Sequence, residues 1–195
     1  MGYKLDSIQQ DCYPNTTVLI NKLDITDEKL LAETESVFAS FKAAQLIEQP
    51  LKSDFSFDDY KALHSYLFSD LYEWAGTVRK IDMSKMTTRF TACDRIEEQG
   101  QCIFSRLRSM DYFRGLARAE LVAEVADLYH TLNLLHPFRE GNGRTQRVFF
   151  TQLIRAAGYD IDYSELNSEL LMIGSIQAAS GVMDNLVAFF DENIK

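Results

Sequence analysis

The chain has 195 residues, 46% hydrophobic and 12% aromatic, which suits one sizeable core and argues against disorder. A formal net charge of −9 weighs against nucleic acid or an anionic membrane as partner, because both are held by clustered Lys and Arg. No apolar run approaches the roughly 18–20 residues of a membrane helix, and Met1-Gly2-Tyr3-Lys4-Leu5 does not read as a secretory leader. The expectation is a cytoplasmic protein with Cys12, Cys93 and Cys102 reduced.

Residues 1–23 read as a leading arm, with a turn at Pro14-Asn15 and an apolar patch at Val18-Leu19-Ile20. A first helix is predicted from Asp24 or Thr26, with Asp27 and Glu28 at its positive end. Leu30, Val37, Phe38, Phe41 and Ala44 share one apolar face, and the helix stops before Pro50. Ser56 caps a second helix, along which Tyr60, Leu63, Leu67, Leu71 and Trp74 recur until Gly76 ends it; Asp58-Asp59 is then a first-turn pair rather than a catalytic dyad. The near-alternation of Thr77-Val78-Arg79-Lys80-Ile81-Asp82-Met83 and then Thr87-Thr88-Arg89-Phe90-Thr91 predicts a two-stranded hairpin over about 77–91 that must lean on helices.

Asp94-Arg95-Ile96-Glu97 resembles an acidic capping box and opens a third helix to about Met110. A fourth, from Ala119, carries the stripe Val122, Val125, Tyr129 and Leu132. A fifth follows Gly143, with Val148, Phe149, Leu153 and Ile154 inside and Gly158 at its end. One or two more fill Ser164 to Asn193. The expected architecture is a single all-α domain over 1–195, a helical bundle with one small β-hairpin.

Between the fourth and fifth helices lies His136-Pro137-Phe138-Arg139-Glu140-Gly141-Asn142-Gly143-Arg144-Thr145-Gln146-Arg147. Gly141 and Gly143 allow a tight turn that a ligand can approach closely, and the helix start behind it offers unpaired N–H groups to an anion. Arg144 and Arg147, three apart, suit the phosphates of a nucleotide. Glu140 would repel those phosphates unless a cation intervened, which points to Mg²⁺. His136 is the one local group able to take a proton near neutral pH. A base, a metal carboxylate, an anion nest and two arginines together describe phosphoryl or nucleotidyl transfer. A P-loop is excluded, since no Lys-Ser/Thr follows the glycines. His64 and His130 have no metal-ligand arrangement around them and read as core or surface residues.

The segment fills every defining position of the Fic signature, His-Pro-Phe-x-Asp/Glu-Gly-Asn-Gly-Arg-x-x-Arg. Tyr72-Glu73-Trp74-Ala75-Gly76 with Val78-Arg79, Gly158-Tyr159, and the closing Asn185-Leu186-Val187-Ala188-Phe189-Phe190 resemble the family too, so the likeness covers roughly 13–192. It implies the all-α Fic fold, with a flap over 77–91 and a catalytic loop and helix over 136–157. It also implies transfer of AMP from ATP to a Ser, Thr or Tyr hydroxyl. In that reading His136 is the general base, with Asn142 and Arg144 also catalytic, and Glu140 holds Mg²⁺. Gly141, Asn142, Gly143, Arg144 and Arg147 bind the nucleotide, and Phe138 anchors the loop in the core. A lysine replaces Gly143 in the related Doc kinases, so glycine favours AMP transfer over phosphorylation. The exposed edge at about Ile81 to Thr88, with Ile81, Asp82, Met83, Ser84 and Lys85, would pair with an extended target loop. A Fic module that binds nucleotide without turnover, or one using another donor, stays open beside this reading.

Many members carry an inhibitory Ser/Thr-x-x-x-Glu-Gly/Asn helix. Ser69-x-x-x-Glu73 is followed by Trp74, and Ser180-x-x-x-Asp184-Asn185 offers an aspartate, so neither fits. With little chain beyond the last helix, the resemblance is to Fic toxins restrained by a separate small helical antitoxin that supplies the glutamate, expected to dock near Val37 to Leu46. Toxins of that class resemble one another in modifying type II topoisomerases.

Overall fold

The computed structural model describes residues 4–5, 11–50, 54–85, 88–161, 163 and 168–195. Met86 and Thr87 of the expected docking edge, and residues 164–167 at the expected start of the last helices, lie outside them. Seven α-helices are described: α1 (Glu28–Glu48), α2 (Phe57–Phe68), α3 (Ile96–Ser109), α4 (Arg118–Leu135), α5 (Asn142–Ala156), α6 (Ser168–Ala179) and α7 (Asp184–Asn193). With the small sheet, they form the all-α bundle that the sequence predicts.

Local chemistry sets most of the boundaries. Asp27 caps α1 by accepting from the Leu30 N–H at 2.7 Å. At α2, Ser56 Oγ accepts from Asp59 N at 3.1 Å while the Asp59 carboxylate accepts from Ser56 N at 3.0 Å, a reciprocal capping box. α2 ends at Phe68, so Leu71 and Trp74 sit in the turns that follow rather than on the helix. The capping box expected at Asp94 does not form: Cys93–Arg95 is a 3-10 turn without a side-chain cap, and α3 starts at Ile96.

The face of α1 is a correction. Leu30, Val37 and Phe41 are 51%, 66% and 65% exposed, whereas Leu31, Glu35, Ala39 and Leu46 face the core. Those four recur at spacings of four and seven and form the buried stripe; one member is a carboxylate, which conceals it from a hydrophobicity reading.

The hairpin is present as β2 (Met83–Lys85) and β3 (Thr88–Arg89), paired antiparallel. A third strand, β1 (Lys4–Leu5), pairs antiparallel with β2, Lys4 opposite Ser84 and Leu5 opposite Met83, so β2 is the middle strand. At the centre, α4 packs on α3, α5, α6 and α7. Leu121, Val125, Leu132, Phe150, Leu153, Ile154 and Phe190 are at most 1% exposed and fill the space between these helices. α1 and α2 cover the other side of α5. Among the described residues no helix is long and apolar enough to cross a membrane.

Candidate active site

The last residue before the loop turns its backbone sharply. His136 is the C-cap of α4 in the left-handed region, at φ 43° and ψ 59°. Its ring lies flat on Phe90 of the flap, centroids 3.8 Å apart and planes within 8°. Nδ1 sits 3.2 Å from the Asn133 carbonyl. A carbonyl only accepts, so Nδ1 carries the hydrogen and Nε2 is the unprotonated nitrogen, the form a base requires. Burial first, and Arg79 and Lys85 nearby, push the His136 pKa down to about 3, so the ring is neutral at physiological pH.

Arg79 locks this residue to the flap. Its side chain is fully buried, with Nε donating to His136 O at 2.8 Å and Nη1 to Ile81 O at 2.7 Å. Nη2 donates to Thr91 O, and the Arg79 N–H donates to Pro137 O at 2.8 Å. One guanidinium fork thereby spans the loop that follows α4 and both ends of the hairpin. Asp82 joins the anchor by accepting from Cys93 N at 2.7 Å, which holds its carboxyl below the usual range. Of the expected docking residues, Ile81 and Asp82 thus anchor the flap, and the Met83 side chain is buried. Ser84 and Lys85 remain half-buried, and β1 holds the main-chain edge at Met83 and Ser84.

The loop is braced from within. Asn142 Oδ1 accepts from Phe138 N at 2.9 Å and its Nδ2 donates to Phe138 O at 2.7 Å, so this side chain closes the loop. Phe138 is fully buried between His64, 3.8 Å away, and Tyr60, 5.6 Å away, the anchor expected of it. His64 is a core residue with a positioning part that its sequence does not reveal. Gly76 N donates to its Nδ1 at 2.8 Å, so Nε2 carries the hydrogen and donates to the Glu140 carbonyl at 3.0 Å. Arg139 pairs with Asp11, tying the leading arm to the same loop.

Helix α5 then begins with Gly141 as N-cap at φ 79°, and its first backbone bond runs from Thr145 N to Gly141 O. The N–H groups of Asn142, Gly143 and Arg144 precede that bond and so lie outside the helix's own ladder, as donors that a helix start can offer to an anion. Only Gly141 is required by the backbone: a Cβ at Gly143 would meet Arg147 Nη1 at an ordinary 3.5 Å.

Glu140 and Arg144 come together 3.5 Å apart. Burial first, then the Glu35 carboxylate, pushes the Glu140 carboxyl up. Glu35, on the buried face of α1, accepts from Arg144 Nη2 and from the Tyr72 hydroxyl. The guanidinium of Arg144 also lies over the Phe68 ring, 4.9 Å from its centroid. Neither Glu35 nor Tyr72 stands out as functional in the sequence; the signal available was a carboxylate spaced four from both Leu31 and Ala39.

Behind Arg144 runs a groove of about 620 Å³ between α1 and α5. Ser36, Ala39, Ser40 and Ala43 form one wall, and Arg144, Arg147, Thr151 and Arg155 the other. Among the described residues no three His, Cys, Asp or Glu side chains cluster as a metal site.

This geometry agrees with the comparisons with known proteins. Residues 54–154 match the Fic/DOC family. The chain is 37% identical over 178 residues to the probable protein adenylyltransferase y4lH of Sinorhizobium fredii, covering 91% of each. It is 36% identical over 181 residues to the protein adenylyltransferase VbhT of Bartonella schoenbuchensis, but spans only 38% of that longer protein's length. The crystal structure of the BepC effector of Bartonella tribocorum with bound AMPPNP superposes with a TM-score of 0.89 at 26% identity, over 96% of this chain and 97% of that one. The chain therefore belongs to the Fic/DOC family, among relatives named protein adenylyltransferases.

Proposed function

We propose that this chain transfers AMP from ATP to a Ser, Thr or Tyr hydroxyl of a target protein. The observation that carries the reading is His136, held with Nε2 unprotonated, at the mouth of a helix start that also presents Arg144 and Arg147. The target oxygen attacks the α-phosphorus, the bond to the bridging oxygen of the β-phosphate breaks, pyrophosphate leaves, and the hydroxyl proton passes to His136 Nε2. An imidazole with so low a proton affinity is a weak base until negative charge arrives beside it. The bound triphosphate brings that charge and raises the affinity when it is needed. The N–H groups at the start of α5 and the two arginines bind and orient the phosphates.

Glu140 fits Mg²⁺. It is a half-buried carboxylate with its pKa raised, beside the second carboxylate of Glu35, so a divalent cation would relieve the excess negative charge. A lone carboxylate ligand suits a cation that completes its shell with phosphate oxygens and water. The metal, when bound, neutralises charge developing on the phosphates.

An extended target segment pairing with β2 would take the place of β1, with main-chain bonds setting the hydroxyl in line. The groove between α1 and α5 supports a helical partner as the antitoxin of this chain. Small residues on α1 leave room for a helix, and on the facing wall Arg147, between Arg144 paired with Glu35 and Arg155 paired with Asp160, offers a cation to an acidic side chain on a protein that is otherwise anionic. Val37, Phe41 and Ile47, all more than half exposed, give α1 an apolar rim for it. A glutamate seated against Arg144 and Arg147 would compete with the end of the triphosphate.

Incubation of the purified chain in bacterial lysate with Mg²⁺ and α-labelled ATP tests these points together. Labelled bands are expected, and about 10²–10⁴ less label with His136→Ala. The bands identify the target, a type II topoisomerase among the candidates. Transfer of γ-label alone would mean a kinase, and no transfer with either would favour a binding module or another donor. A chain that is inactive when purified alone would remove the case for a separate inhibitor.

A further inference from the structure

Glu35 is the one carboxylate on the buried face of α1, 7% exposed, and beyond its charge beside Glu140 the chemistry described above gives it no part. A buried charge is costly unless paired and hydrogen-bonded, and well-packed apolar replacements for such pairs are frequently neutral or better. Packing of α1 alone would therefore be served as well by leucine. Both oxygens of Glu35 are in use. Oε2 accepts from the hydroxyl of Tyr72, which is 1% exposed and stacked on Trp74 with centroids 4.4 Å apart. Held from behind by that aromatic pair, the carboxylate presents Oε1 to Arg144.

How Arg144 is held decides what the pair does. Only Nη2 engages Glu35 and, at 3.5 Å, Glu140. Among the described residues Nε and Nη1 have no hydrogen-bond partner, and the side chain is 26% exposed. Phe68 supports the guanidinium face. The contact therefore fixes the plane and position of the guanidinium while leaving donors for phosphate oxygens. An occluding pair would take two donors in a fork and turn the group inward. Glu35 also competes with Glu140 for Nη2, which keeps the Glu140 carboxylate from being consumed by Arg144.

We infer that Glu35 is a positioning residue for triphosphate recognition: fixed by Tyr72, it holds Arg144 preorganised for the distal phosphates. This rests on the reading of Arg144 as a phosphate ligand. Ordering a long side chain before the ligand arrives removes that cost from binding. A nucleotide lacking the distal phosphates gains nothing from it.

Calorimetric titration of the full chain with Mg-AMPPNP and with AMP tests this, using wild type, Glu35→Ala, Glu35→Gln, Arg144→Ala and the Glu35→Ala/Arg144→Ala double variant. Mg-AMPPNP binding is expected to weaken about tenfold in Glu35→Ala and roughly threefold in Glu35→Gln, with the double variant no weaker than Arg144→Ala alone, the non-additivity of residues acting through one contact. AMP should bind all variants alike. Glu35→Gln keeps the volume and is the deciding variant if Glu35→Ala does not fold. Weakening by Arg144→Ala with none in either Glu35 variant would overturn the inference and leave the phosphate reading standing. An unchanged Arg144→Ala would overturn both. Equal loss of AMP and AMPPNP affinity, or additive effects in the double variant, would show that Glu35 does not act through Arg144.

Discussion

An L side chain at position 141 would meet two obstacles at once. The backbone sits at φ 79°, and a Cβ there would lie 2.5 Å from the Phe68 ring. Phe68 is 1% exposed and also supports Arg144, so it has no room to yield. Position 143 is an ordinary helical site. Gly141→Ala is expected to lower stability by about 2–4 kcal/mol, adding left-handed strain to overpacking, while Gly143→Ala stays within about 1 kcal/mol of wild type, as urea denaturation will read. At this scale the motif residues were legible because their types are unusual in combination. Glu35 was not, because one glutamate among acidic neighbours has no mark until α2 and α5 close over it.

Among the elements, the flap depends on a contact from outside itself. Two short strands do not stand alone, and β1 adds only Lys4–Leu5. The buried fork of Arg79 joins Ile81 and Thr91 to the His136 carbonyl, and Thr91 N reaches Leu134 O at 2.9 Å. Lysine retains the charge and cannot span three carbonyls. Arg79→Lys is expected to cost about 2–4 kcal/mol, from buried carbonyls left without a donor, and to speed amide exchange in β2 and β3. Slow, unchanged flap exchange in that variant would show that the strands hold themselves. The hairpin was legible from its alternation, but a two-residue strand has no period to detect, so β1 and its place on the β2 edge were not.

Across the molecule, two buried histidines couple folding to pH. Burial pushes His64 down to about 4 and His136 to about 3, against an ordinary 6.5. Below pH 6.5 the unfolded chain takes up protons that the folded one refuses. The contribution is therefore complete above that pH and is lost as pH falls toward the folded values. Between pH 7 and 5 each histidine should remove about 2 kcal/mol of unfolding free energy. Urea denaturation at the two pH values reads the sum, and His136→Ala should remove about half of the dependence.

The sequence by itself determined the helical bundle, the hairpin and the loop from His136 to Arg147, because each is written in local period, capping chemistry or adjacent residues. Tertiary structure alone decided which side of α1 is buried, since Val37 and Phe41 form the more apolar stripe and yet face outward beside the groove. It alone set the tautomer of His136, through Asn133 O, and gave Arg144 its partner 109 residues away. Those are contacts between distant segments, and a hydrogen bond carries no trace along the chain until folding brings its two ends together.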